Sequence, residues 1–457
     1  MAAKSMTQTN QALDRFIRSE MKRTGVPGVG VGVLKGKRRY VNGYGVTNID
    51  HPMAVDAKTL FQIGSTSKTF TATAIVRLVE MGKLDLDVPI RRYLKDLKLK
   101  NKDVQAKVTL KHLLTHTGGW LGDYFYDGGR GDDALANFVA TMSKVKQLTP
   151  LGEVWSYNNS GFTIAGRVIE RVTGQPFQTA IRELVFEPLG LERSFFFADE
   201  VMPYRTVVGH ITTGTKSVVA HPWAVRRSGG PSGGIISDVG DQLKWAAFHM
   251  GDGKSSEGKR VLRNGSLALM QKPHAPAGGI ADYVGLSWLI REIDGVKLVA
   301  HGGTVNGQLS AFLMVPERSF AVTVLTNSTR GGELHREVVG WALQNYLDIS
   351  QPAPPRMKLT RDELAVYAGT YRIESSGATF DVDVRSGGLT VRLPAPPPDA
   401  FGKKQPAPPP IPLYFFDHDL VTASTGYYKG TQGEFLRGLS GKITWFRFGA
   451  RIQRRVG

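Results

Sequence analysis

Apolar residues recur at helical spacing from the start of the chain. Leu13, Phe16, Ile17 and Met21 lie on one face of a 3.6-residue period across residues 8–24, which predicts an amphipathic first helix. The period then drops to two. Val29, Val31 and Val33 alternate with Gly28, Gly30 and Gly32, Lys35-Gly36-Lys37 turns the chain, and Arg39 to Tyr44 returns it. This predicts a β-hairpin with one face of bare backbone. Helical periodicity resumes from Ser65 to Met81, where Gly82 supplies a C-terminal stop. It recurs around Leu110–Leu114, over 161–174 (Ile164, Val168, Ile169 and Val172 inside) and over 238–250. Four strands are then predicted, at 286–290, 297–300, 310–315 and 321–325, followed by a helix at 332–347. A hairpin, a run of helices, an antiparallel set and a closing helix give an α+β unit. Its sheet draws on both ends of the unit, with a helical insert between them.

The pattern changes after Gln351-Pro-Ala-Pro-Pro355, a proline-rich linker. Short alternating strands follow at 369–372, 378–385, 389–393, 413–416, 433–439 and 443–448, read as a separate barrel-like or sandwich-like β module. The proline tract 395–412 is expected to be an exposed loop. The resulting division is 8–350 for the first unit, 351–360 for the linker and 361–457 for the β module.

Composition narrows the chemistry. The 457 residues include no cysteine, which excludes thiol nucleophiles, thiolate metal sites and redox pairs. The formal charge of +18 attracts anions. The basic residues are scattered, and the densest groups, Lys35–Arg39 and Arg451–Arg455, lack interleaved stacking aromatics, so nucleic acid is not an expected partner. Residues 1–11 carry no apolar signal region, and no run of 18 apolar residues occurs. The expectation is a soluble protein without a transmembrane segment, either cytoplasmic or exported with its signal removed. The sequence leaves room for an oligomer.

Gly64-Ser65-Thr66-Ser67-Lys68 opens the longest amphipathic helix, and the i, i+3 spacing puts Ser65 and Lys68 on one face. A serine hydroxyl needs a base to act as a nucleophile, and a lysine serves only when neutral, a state favoured by burial or a cationic neighbour. Ser65 also lies at a helix N-terminus, where free N–H groups favour a developing oxyanion. Ser-x-x-Lys alone is a weak pattern, and its structural reading is a capping serine beside a solvated lysine. A second copy, Ser256 to Lys259, lies in a polar glycine-rich loop with no helix after it and is read as chance.

Trp155-Ser156-Tyr157-Asn158-Asn159-Ser160-Gly161 precedes a helix, and His301-Gly302-Gly303-Thr304 lies between two strand candidates. With these segments the chain resembles the class C β-lactamase and penicillin-binding-protein-like serine hydrolases, a family that includes esterases, D-aminopeptidases and DD-carboxypeptidases. Its Ser-x-x-Lys motif matches Ser65 and Lys68, its Tyr-x-Asn motif matches Tyr157 and Asn159, and its edge-strand Lys-Thr-Gly or His-x-Gly motif matches His301 and Gly303. Leu113 to Gly119 and Gly233 to Ser237 match framework features. The resemblance covers roughly residues 10–347. It implies a transpeptidase-like antiparallel sheet flanked by helices, and the tail resembles the lipocalin-like domain of some members.

The resemblance also implies roles. Ser65 attacks a carbonyl to form an acyl-enzyme. Lys68 and Tyr157 share its proton, and Tyr157 protonates the leaving group. Asn159 orients Lys68 and binds substrate amide. The N–H groups of Ser65 and Thr304 form the oxyanion hole, and His301 and Gly303 border the substrate. The expected ligand is a small ester, amide, peptide or β-lactam, with no metal or cofactor. Two departures matter. His301 stands where many β-lactamases and transpeptidases carry lysine, which favours esterase or D-amino-acid peptidase chemistry over β-lactamase or DD-carboxypeptidase chemistry. Gln308 stands where relatives often carry an aromatic residue. An alternative of another class is an inert penicillin-binding-like receptor whose tail binds a hydrophobic ligand or a partner.

Other signals receive structural readings. Gly230-Pro231-Ser232-Gly233-Gly234 matches a nucleophile elbow without the strand–turn–helix context an elbow needs. His112 and His116 have zinc-like spacing but no intervening glutamate. Trp120, Tyr124, Phe125 and Tyr126 form either a pocket lining or a folded surface loop. Asn158-Asn159-Ser160 is a chance glycosylation sequon.

Overall fold

The protein is described from a computed structural model covering residues 5–213, 216–223, 225–385, 387–395, 406–426 and 428–457. Its main sheet has eight antiparallel strands. In spatial order they are Arg38–Gly45, Gly28–Lys35, Phe320–Thr326, Gln308–Val315, Val296–Val305, Leu289–Ile293, Tyr283–Val284 and Ala275–Pro276. The hairpin therefore pairs with the last strand of the unit, Val29 opposite Thr326 and Lys35 opposite Phe320. The sheet does draw on both ends of the first unit.

The valine–glycine alternation explains the layers. Val29, Val31 and Val33 are fully buried against Leu13 and Ile17 of helix Met6–Thr24 and Leu334, Val338 and Ala342 of helix Gly331–Leu347. At roughly 1.5–3 kcal/mol per buried valine-sized side chain, this face alone accounts for much of the docking of both helices. The glycines face the other way. A Cβ on Gly30 would lie 3.2 Å from Val239 Cγ1, and one on Gly32 would lie 3.1 Å from Leu243 Cγ. Bare backbone there lets helix Val239–Met250 approach the sheet closely. The helical insert packs on that side, with Phe70 stacked on Trp245 at 3.9 Å between ring centroids.

Several expectations shift. The strand expected at 286–290 lies at Leu289–Ile293, because Ser287 has a left-handed φ of 73° that breaks extension. The strand expected at 297–300 runs on to Val305 and takes in the His-x-Gly segment. That strand is interior rather than at the sheet edge. Its pairing with Leu289–Ile293 stops at Ala300, however, so residues 301–305 have a neighbour on one side only.

The C-terminal module is a closed barrel of eight antiparallel strands in sequential order. Two were not expected, Leu420–Ala423 and Arg451–Arg455. Of the proline tract, 396–405 lies outside the described residues. Ile411 and Pro412 begin a barrel strand, Ile411–Asp417, instead of ending a loop. The barrel core is filled. Tyr371, Phe380, Phe415, Phe435 and Phe446 pack together, and Phe435 stacks on Phe446 at 4.3 Å. The barrel docks on the first unit through Glu374, which pairs with Lys146 (2.8 Å), and through the hairpin turn at Gly449-Ala450. No helix among the described residues is long and apolar enough to cross a membrane.

Candidate active site

Ser65 lies in a single 3-10 turn, Gly64–Thr66, that leads into helix Ser67–Glu80. Both sides of this turn are anchored. On one side Ser310 Oγ donates to Ile63 O (2.7 Å) and lies 2.9 Å from Thr66 Oγ1. On the other side Ile63 N donates to Ile235 O (3.0 Å), and Ile235 N donates to Ser67 Oγ (3.0 Å). The turn is thus held between the strand that follows the His-x-Gly segment and the Gly233–Ser237 segment.

Lys68 is fully buried, and its Nζ lies 3.0 Å from Ser65 Oγ. The second partner among the described residues is Ser232 O at 2.6 Å, a carbonyl rather than a carboxylate. The rings of Tyr157 and Phe162 flank the ammonium position at 4.9 and 5.5 Å. Burial holds the Lys68 amine well below the usual lysine range, and the Arg451 cation lowers it further, with Asp123 opposing. Tyr157 is also buried and is hydrogen-bonded to Ser65. Burial raises its phenol well above the usual tyrosine range, while Ser65 and Arg451 oppose that rise. Both groups are therefore pushed toward their neutral forms, an amine and a phenol on either side of one hydroxyl.

Gly303 and Thr304 come against the Ser65 turn from the free side of their strand. A Cβ on Gly64 would lie 2.7 Å from Thr304 N, and a Cβ on Gly303 would lie 2.7 Å from Ser65 N. The two backbone amides assigned to the oxyanion hole thus border one narrow gap. His301 is buried, with Nδ1 2.7 Å from Gly302 O, so that nitrogen carries the hydrogen and Nε2 is an acceptor. Burial and the adjacent Lys68 push its imidazole down to about 3, so it is uncharged at neutral pH.

Asn159 opens helix Asn159–Thr173, after the buried N-cap Asn158, whose Oδ1 accepts from Gly161 N (2.8 Å). That cap role takes up the sequon asparagine. The Asn159 amide does not reach Lys68. Its Nδ2 donates to Asp123 Oδ1 (2.7 Å), and Asp123 accepts two further bonds from Arg451, at 2.9 and 3.2 Å. Arg451 comes from the barrel. Its guanidinium lies 4.7 Å from the centre of the Tyr157 ring, and the neighbouring Ala450 O accepts from Tyr157 N (2.9 Å).

A cavity of about 860 Å³ joins these groups. Ser65, Tyr157, Asn159, His301, Gly303 and Thr304 all line it, and Lys68 sits behind Ser65. Tyr124, Phe125, Tyr126, Phe138 and Ile280 add aromatic and apolar side chains to its lining. Of the four aromatics at 120–126, Trp120 alone is core, its Nε1 donating to Ser160 Oγ (3.0 Å). Asp123, Arg451 and Ser232 also line the cavity, and sequence reasoning gave none of them a role there. Ser232 sits in the discounted glycine-rich turn. Its hydroxyl donates to Gly229 O (3.0 Å), and only its carbonyl meets Lys68. His112 caps its own helix through Thr109, whereas His116 packs on Tyr157, so the zinc-like pair diverges. Among the described residues no group of three or more ligating side chains could hold a metal ion.

Comparison with known proteins gives this arrangement a context. The beta-lactamase family model matches residues 13–343. Penicillin-binding protein 4 of Amycolatopsis lactamdurans is 33% identical over 358 residues, which is 76% of this chain and 94% of that protein. Unguisins hydrolase ungD of Aspergillus violaceofuscus is 24% identical over 345 residues, 69% of this chain. Those residues span only 61% of that relative's length. Among solved structures, SurE superposes with a TM-score of 0.76 at 24% identity, covering 99% of this chain and all of SurE. The octameric penicillin-binding protein homologue from Pyrococcus abyssi gives a TM-score of 0.66 at 25% identity, covering 97% of this chain and 99% of its own.

Proposed function

Since the chain belongs to the beta-lactamase family, we propose that it is a serine hydrolase that cleaves ester or amide bonds through an acyl-enzyme on Ser65. The observation that carries this reading is Lys68, fully buried, without a carboxylate partner among the described residues and 3.0 Å from Ser65 Oγ. Burial lowers the Lys68 amine well below the ordinary lysine range, which favours the neutral form that can act as a base. Ser65 Oγ bonds to the substrate carbonyl carbon and gives its proton to the Lys68–Tyr157 pair. The amides of Ser65 and Thr304 take the oxyanion charge. As the carbonyl re-forms, the bond to the leaving group breaks, and that group takes a proton from the Tyr157 phenol. Water then repeats the sequence on the acyl ester, losing its proton to the same pair and releasing the acid and Ser65.

The favoured substrates are peptide-like acyl compounds bearing a D-configured or apolar residue. Three features support this. The cavity is far larger than one amino acid, its 124–126 wall is aromatic, and Arg451 offers a cation to a substrate carboxylate or carbonyl. SurE has also been solved with D-Leu, and one relative is named a hydrolase of unguisins. A penicillin-type substrate is the second reading, favoured by the 33% identity to penicillin-binding protein 4. Neutral His301 argues against it, since it offers no fixed charge to the β-lactam carboxylate.

The test compares p-nitrophenyl acetate and butyrate, nitrocefin and D-alanine p-nitroanilide on wild type and Ser65→Ala, with fluorophosphonate labelling as a substrate-independent readout. Turnover and labelling should both vanish in Ser65→Ala, and the best substrate selects among the three activities. Undiminished turnover in Ser65→Ala would end the proposal. Absence of labelling in the wild type would return the chain to the inert-receptor reading.

A further inference from the structure

The segment that carries Tyr157 is fixed by three consecutive backbone donors. Ser156 N donates to His116 O (3.1 Å), Tyr157 N to Ala450 O (2.9 Å) and Asn158 N to His116 Nδ1 (2.9 Å). Two of the three acceptors belong to one residue. His116 therefore grips the chain on either side of Tyr157, with its carbonyl before and its ring after. The same ring lies against the phenol, with centroids 4.4 Å apart and planes inclined by 24°.

The backbone of His116 is itself unusual. Its φ is 58°, in the left-handed region that a residue with a side chain occupies only where its surroundings hold it. That conformation is what lets one residue present its carbonyl and its ring to the same segment. Since Nδ1 accepts from Asn158 N, the hydrogen is on Nε2, and the ring is the neutral tautomer. Nε2 has no hydrogen-bond partner among the described residues, though the side chain is buried. Burial and the nearby Lys68 keep the imidazole well below the ordinary histidine range, so the clamp holds no charge beside the base.

We propose that His116 is the positioning residue for Tyr157: it fixes the phenol by a stacked neutral imidazole and a two-point hold on residues 156 and 158. This rests on the reading of Tyr157 as the proton carrier for Ser65. The residue at 116 must join a flat ring to an acceptor at the Nδ1 position. Phenylalanine keeps the ring and loses the acceptor. Asparagine keeps an acceptor there, tolerates the left-handed backbone and loses the ring.

The experiment measures the second-order rate constant for fluorophosphonate labelling of Ser65 in the full chain, for His116→Phe, His116→Asn, Tyr157→Phe and the two double variants. Displacing a proton carrier by a fraction of an ångström to 1 Å should slow labelling about a hundredfold in His116→Phe. Labelling in His116→Asn should stay within about tenfold of wild type, the worth of the lost ring contact. In the Tyr157→Phe background neither substitution should cost more than about twofold, because a residue that acts through Tyr157 has nothing left to position. His116→Phe labelled at the wild-type rate overturns the proposal, and so does a loss that repeats in the Tyr157→Phe background. His116→Ala replaces His116→Phe, read the same way, should the latter not fold. Tyr157→Phe labelled at the wild-type rate would instead refute the underlying role of Tyr157.

Discussion

Gly303→Ala is a small change with a large expected effect. A Cβ there would lie 1.9 Å from Ile63 O and 2.7 Å from both Ser310 Oγ and Ser65 N. Real Cβ contacts essentially never fall under 3.0 Å, so the strand and the Ser65 turn must separate by about 1.1 Å at Ile63. None of the three neighbours is the free end of a flexible chain. Two are backbone atoms, and Ser310 Oγ is tied to Ile63 O and Thr66 Oγ1. The separation therefore appears between Ser65 N and Thr304 N, the pair proposed to hold the oxyanion. Losing one such donor costs about 10²–10³ in rate, or roughly 3–4 kcal/mol of transition-state stabilisation. Overpacking a tight site adds about 1–3 kcal/mol of lost stability. Steady-state hydrolysis of p-nitrophenyl butyrate should show kcat falling at least about a hundredfold with KM changed by less than about threefold, because the donors act on charge that develops only in the transition state. Gly340→Ala, on an open helix face with nothing within 4 Å, is the control. A Gly303→Ala protein that is folded and turns over at the wild-type rate would refute the assignment of the oxyanion hole to this gap.

Acylation should fall as pH drops through the depressed folded-state value of Lys68, because protonation removes the base; a kcat/KM profile flat to the limit of acid stability would contradict this. Between that value and the ordinary lysine range the unfolded chain binds more protons than the folded one, so stability rises with pH across the window. Lys68→Met should abolish fluorophosphonate labelling, raise the melting temperature at pH 7 and lose that rise, as followed by calorimetry at several pH values. Arg451→Met removes two bonds to Asp123 from a side chain that is 39% exposed, so the stability loss should be about 1–2 kcal/mol. Its kcat/KM should drop at least about tenfold for a substrate with a free carboxylate and less than about threefold for a neutral ester, equal losses being the contrary result.

Much of the site was legible because its parts are local. Ser65 and Lys68 are one helical turn apart, Tyr157 and Asn159 flank a capping asparagine, and the two glycines after His301 mark a close backbone approach. The valine–glycine alternation likewise encoded both faces of the central strand. What was missed is long-range or lacks a pattern. Asp123 and Arg451 meet across 328 positions, and neither has a neighbour in sequence that announces the other. Arg451–Arg455 read as a basic cluster because only Ile452 faces the barrel core. Leu420–Ala423 is too short for alternation to show. The expected partnership of Asn159 with Lys68 gave way to Asp123, which no motif contains. His116 falls within the framework segment Leu113–Gly119 and has zinc-like spacing from His112, but the cause of its placement, a left-handed backbone clasping residues 156 and 158, leaves no trace in composition.

The hydrogen bond from Tyr157 N to Ala450 O spans 293 positions and couples two folding units at the point where chemistry is proposed to occur. Catalytic competence thereby becomes a reporter of barrel integrity. Denaturant that melts the barrel first should silence the enzyme while the eight-stranded sheet still stands. On the proposed role of the site the coupling is reciprocal: a reversibly bound substrate that touches both Ser65 and Arg451 favours the docked state, and so adds to the barrel's resistance to unfolding. Substrate, on this geometry, acts as a ligand for the barrel as well as for the serine.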